Sequence, residues 1–99
     1  MFRHIALFRW REGVTEEEIA YLAAGLQELP NQVDTVRGFR FGPDAGLADQ
    51  NFNWAVVADF DDVEGYVTYR DHPDHQAVLH DRIMPIIDFR AAVQYDAGT

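Results

Sequence analysis

Ile5-Ala6-Leu7-Phe8 and Trp54-Ala55-Val56-Val57-Ala58 are the two stretches whose reading decides the fold. Successive side chains of a strand point to opposite faces of a sheet, so an unbroken apolar run makes both faces oily. An antiparallel sheet with helices on one side can leave its other side wet, and its strands then alternate cleanly. These two stretches do not alternate. Helices can cover only one face, and a chain of 99 residues has no spare element for the second. A second copy packed sheet to sheet about a two-fold axis supplies the missing cover. Ile5, Leu7, Ala55 and Val57 are the expected contact residues of that homodimer. Extensive bare apolar patches are rare on monomers.

The remaining elements follow outward from these strands. Residues 2 to 11 form the first strand, with Phe2, His4, Ala6, Phe8 and Trp10 on one face and Arg3, Ile5, Leu7 and Arg9 on the other. Thr15-Glu16-Glu17-Glu18 is a capping box, and its carboxylates suit the positive end of a helix. The helix runs to about Leu29 with Ile19, Leu22, Ala23, Leu26 and Leu29 inward, and Pro30 is expected to stop it. Residues 35 to 42 form a second strand in which Arg37, Phe39 and Phe41 share a face. A loop to Asn51 follows, then a third strand from Phe52 to Phe60 with Phe52, Trp54, Val56, Ala58 and Phe60 on one side. Asp61 or Asp62 caps a short helix carrying Val63, Tyr66, Val67 and Tyr69. His72-Pro73 interrupts it, because the residue before proline resists the helical region. Pro73 then opens a new helix that ends at Pro85. Residues 87 to 95 form the last strand, and Ala97-Gly98-Thr99 is expected to fray. The order β-α-β-β-α-β is the ferredoxin-like α+β arrangement, expected as one domain over residues 1–99.

Charge narrows the partners. The formal net charge is −9, from 17 acidic side chains against eight Arg and no Lys. Nucleic-acid binding needs a basic patch that displaces counterions, and Arg3, Arg9 and Arg11, the densest basic group, lie on a strand. Neither nucleic acid nor an anionic membrane surface is an expected partner. With no Cys, thiolate chemistry and disulfides are excluded. No stretch approaches the roughly 20 apolar residues of a membrane helix, and no leader pattern follows Met1, so the expected setting is the cytoplasm.

The opening strand Phe2-Arg3-His4-Ile5-Ala6-Leu7-Phe8, the Thr15-Glu16-Glu17-Glu18 helix start and Tyr69-Arg70-Asp71-His72-Pro73-Asp74-His75 together resemble the stress-responsive A/B barrel (Dabb) family. The resemblance runs from about Phe2 to Tyr95 and implies a dimeric α+β barrel. That family includes polyketide cyclases of the olivetolic acid cyclase type, to which the chain is similar at several positions. In those enzymes a Tyr and a His flanking the His-Pro-x-His segment are the acid–base pair, which implies Tyr69 and His75 here. The first-strand pocket His corresponds to His4. The third-strand pocket His falls at Trp54, where this chain departs from the pattern.

Two functional readings result. The first is a homodimer that binds a small apolar or aromatic molecule between sheet and helices, against Ala6, Phe8, Leu22, Leu26, Trp54 and Val56. The alternative is a cofactor-free enzyme in which His75 acts as base, Tyr69 hydrogen-bonds the developing oxyanion and His4 orients. A position in the first turn of a helix is expected to keep His75 neutral. The bland reading of the same residues is a helix corner held by Pro73 and side-chain caps, with His4 a hydrogen-bonded core residue. His72 and His75 lack a second ligand cluster, so no metal is expected. His80 is read as solvated.

Overall fold

In the computed structural model, which describes residues 1–98, strand β1 (Phe2–Trp10) lies between two antiparallel neighbours, β3 (Trp54–Phe60) and β4 (Ile87–Asp96). β2 (Val36–Pro43) pairs with β3, giving the sheet order β2-β3-β1-β4. The fold is the ferredoxin-like α+β arrangement. α1 (Glu16–Gln32), α2 (Val63–Asp71), α3 (Pro73–Val78) and a π-helical segment (Leu79–Ile83) lie together on one side of the sheet.

Strand parity sets the core. His4, Ala6 and Phe8 of β1 and Trp54, Val56, Ala58 and Phe60 of β3 are buried under the helices. Leu22, Leu26 and Leu29 of α1 close over them. The capping box forms as expected: Thr15 Oγ1 accepts from the Glu18 N–H at 3.2 Å, and the Glu18 carboxylate accepts from the Thr15 N–H at 3.1 Å. Asp62 rather than Asp61 caps α2, accepting from the Gly65 N–H at 2.8 Å.

Four expectations are corrected. Pro30 lies inside α1 and does not end it. Proline removes one backbone donor and crowds the carbonyl one turn back, yet the helix continues until the Val33 N–H meets the Leu29 carbonyl at 2.9 Å. Arg37 does not share a face with Phe39 and Phe41. Val36 opposes Phe60 and Gly38 opposes Asp59, so Arg37 is the extra residue of a bulge and pairs with Asp61 instead. Phe52 precedes β3 and turns to the open side of the sheet, under the Arg9 guanidinium and 6.0 Å from the Phe89 ring. The chain end is held: the Ala97 N–H donates to the Met1 carbonyl at 2.9 Å, and the Met1 amino group reaches the Gly98 carbonyl. Thr99, the rest of the expected frayed tail, lies outside the described residues. No helix among the described residues is long and apolar enough to cross a membrane.

Candidate functional site

A cavity of about 180 Å³ separates the sheet from the helices. The sheet contributes His4, Ala6, Phe8, Val56 and Arg90 to its wall. The helices contribute Leu26, Tyr66, Tyr69 and Arg70, then His75, Gln76, Leu79 and Ile83 across the helix break. Of the expected ligand-facing residues, Ala6, Phe8, Leu26 and Val56 line this space. Leu22 and Trp54 do not. Leu22 is fully buried within the core, and the Trp54 ring packs 5.9 Å from that of Trp10 and 6.0 Å from that of Phe41. They occupy the right side of the sheet, but Leu22 is packed solid and Trp54 borders a separate hollow beside Pro43, Phe52 and Ala55.

The helix break is what brings His75 and Tyr69 together. As the last turn of α2 ends, the Arg70 carbonyl loses its usual intrahelical donor. The Asp74 N–H, four residues on, donates to His72 Nδ1 at 3.1 Å instead. His72 is thereby the cap of α3, as the structural reading of this corner required. The freed Arg70 carbonyl is met by His75 Nδ1 at 3.0 Å and by Gln76 Nε2 at 2.7 Å. A carbonyl can only accept, so His75 carries its proton on Nδ1 and keeps the Nε2 lone pair free. The His75 and Tyr69 ring centroids are 4.2 Å apart.

His75 is held below the ordinary histidine range. Burial is the main cause, with the Arg90 charge adding to it and the Arg70 carbonyl opposing it. Burial also pushes the Tyr69 phenol well above its usual value, so it stays protonated. His4, 5% exposed, is pushed down to about 4 by burial first, then by the charges of Arg90 and His75. Gln94 Nε2 donates to His4 Nδ1 at 2.8 Å. The neutral His4 imidazole therefore holds its proton on Nε2.

Sequence reasoning missed Tyr66, whose ring lies 4.9 Å from His4, and the polar pair from β4, Arg90 and Gln94. Strand register was the available signal: Phe8 opposes Arg90 and His4 opposes Gln94, so those side chains share the cavity face. The π-helical segment that presents Leu79 and Ile83 was read as ordinary helix. Its wider turn is marked by the Met84 N–H donating to the Leu79 carbonyl at 2.9 Å, a geometry often found near functional sites.

The family described as Stress Responsive A/B Barrel Domain is matched over residues 2–97. A stress-response A/B barrel domain-containing protein of Arabidopsis thaliana is 34% identical over 77 residues, spanning 75% of this chain and 67% of that protein. A crystal structure described as a dimeric ferredoxin-like protein of unknown function from Thermobifida fusca superposes with a TM-score of 0.88. It is 44% identical, over 95% of this chain and 88% of its own. The hydroxynitrile lyase of Passiflora edulis superposes with a TM-score of 0.83 at 18% identity, over 95% of this chain and 90% of its own. At that identity the likeness is one of fold.

Proposed function

The chain belongs to the stress responsive A/B barrel domain family, and from that premise we propose that it is a homodimer holding a small, largely apolar or aromatic molecule between sheet and helices. The observation that carries this reading is the cavity of about 180 Å³, apolar on most of its wall and edged by His4, Tyr69 and His75. An apolar space of about 150 Å³ accepts a benzene ring, so this one suits a compact ligand.

The open face of the sheet supports the dimer. Beside Ile5, Leu7, Ala55 and Val57 it carries Phe89, Val93 and Tyr95, which are 58%, 53% and 44% exposed. One ion pair on it is already formed: Arg3 donates to both Asp59 oxygens at 2.7 and 3.0 Å. A neutralised pair can be covered by a second sheet with less loss of solvation than two free ions. The Thermobifida fusca relative is described as dimeric.

A thermal-shift panel of one- and two-ring aromatic compounds tests the binding reading. Saturable stabilisation that vanishes in the cavity-filling Ala6→Leu variant is expected. A panel that never shifts the native protein, or shifts the filled variant equally, refutes it.

The proton placement on His75 favours a second reading. A neutral imidazole with a free Nε2 can take a proton from a carbon acid while the Tyr69 hydroxyl hydrogen-bonds the resulting oxyanion and the His4 Nε2–H orients the substrate. Cofactor-free, aldol-type or isomerising chemistry is the reaction class such a pair would serve. His75→Ala then abolishes turnover and leaves ligand affinity within a few-fold; equal loss of both points to binding alone.

A further inference from the structure

We propose that the cavity selects a compact organic acid, an apolar body of about one ring bearing a carboxylate, and that Arg90 is the cation that recognises it. This rests on the ligand-holding reading above. The chain has 17 acidic side chains and eight Arg, yet no carboxylate lines the cavity and two Arg do. Arg70 is already neutralised, bonding both Asp71 oxygens at 2.8 and 3.1 Å. Arg90 makes no hydrogen bond or ion pair with the described residues. Register fixes where it stands: Arg90 opposes Phe8, on the face of the sheet that forms the cavity floor. Its charge reaches inward, since it helps to hold both His4 and His75 in the neutral form.

The rest of the wall agrees with an anionic guest. Tyr69 presents a phenol O–H and His4 an Nε2–H, both donors. Arg90 is exposed at the rim of the cavity, and its unpaired guanidinium offers a planar fork that fits a carboxylate in two places. A neutral ligand leaves that fork to water and gains only from the apolar wall.

The test compares benzoate with benzamide, its neutral near-isostere, by calorimetry at pH 7.5 and low salt, on the native protein and on Arg90→Met. Benzoate is expected to bind the native protein about tenfold or more tightly than benzamide, the range of a charge-assisted hydrogen bond. Added salt should weaken benzoate alone. Arg90→Met should erase the preference and leave benzamide affinity within about twofold. Equal affinities in the native protein, or a preference that survives Arg90→Met, overturn the assignment of Arg90 while benzamide binding keeps the cavity reading intact. Failure of both rings to bind overturns the two together. Should Arg90→Met fold poorly, the native benzoate-to-benzamide ratio and its salt dependence decide alone.

Discussion

Acid should unfold this protein partly through one buried imidazole. His4 has a pKa of about 4 in the fold against 6.5 in its unperturbed state, chiefly because burial disfavours its charged form. Between those values the unfolded chain binds a proton that the folded chain does not, so lowering pH favours unfolding. The stability at stake is intact above about pH 6.5 and is lost progressively on the way to pH 4. Integrated over that window, it comes to roughly 3 kcal/mol, of which about two-thirds is gone by pH 5. The many carboxylates also titrate, so the comparison must be differential. His4→Phe keeps a ring in the space and removes the proton site; the acceptor lost to Gln94 is a constant offset across pH. Urea unfolding of both proteins at one fixed concentration, at pH 7, 5.5 and 4, should show the native protein losing about 3 kcal/mol more than the variant. Parallel profiles refute the reasoning, as does an NMR titration placing His4 near 6.5.

Three further outcomes follow from particular contacts. A Cβ on Gly25 would fall 2.5 Å from Arg82 Cδ, where Arg82 crosses α1 to reach the Tyr21 carbonyl and ring; Gly25→Ala should yield the usual helix gain of about 1 kcal/mol only beside Arg82→Ala, and an additive double-mutant cycle counts against this. Leu7→Asp places a charge in the middle of the open sheet face and should leave single chains in sedimentation at micromolar concentration, whereas an unchanged dimer puts the interface elsewhere. Asp62→Ala should lower stability by about 1 kcal/mol and Asp61→Ala by much less, its partner being the exposed Arg37; chemical denaturation separates the two.

The fold was legible where local signals agreed with one another. Alternation in β1, the Thr15–Glu18 box and the Pro73 restart each have one physical solution, and together they leave one element order. The misreadings came from positions where tertiary contacts override a local rule. Pro30 sits so near the end of α1 that it removes little of the helix. Arg37 is displaced by a bulge that nothing in its neighbours announces, and Phe52 turns away before β3 begins. In the site, strand parity and the helix break were enough to place His4, Tyr69 and His75 around one space. Parity does not reveal which inward residue borders which void and which is packed solid, and so it does not exclude Leu22 and Trp54 from the cavity they fail to line.

β4 shows why the least legible strand carries the most consequence. Its alternation runs opposite to that of a strand buried against helices: Phe89, Ala91, Val93 and Tyr95 turn to the open face, while Arg90 and Gln94 turn to the helical side. Helices pack over β1, β2 and β3 rather than over this edge, so polar groups on its inner side meet the cavity rather than a dry core. Its apolar side gains little in an isolated chain, because Phe89, Val93 and Tyr95 stay largely exposed; it gains more when a second sheet covers them. One pattern therefore supplies both the proposed interface and the polar edge of the cavity. A one-residue slip would exchange the two faces, sending Arg90 into the interface and Phe89 toward the cavity. The bulge at Arg9 and Trp10, where Phe89 and Ile87 are the paired residues and Asp88 is extra, pins the register against that exchange.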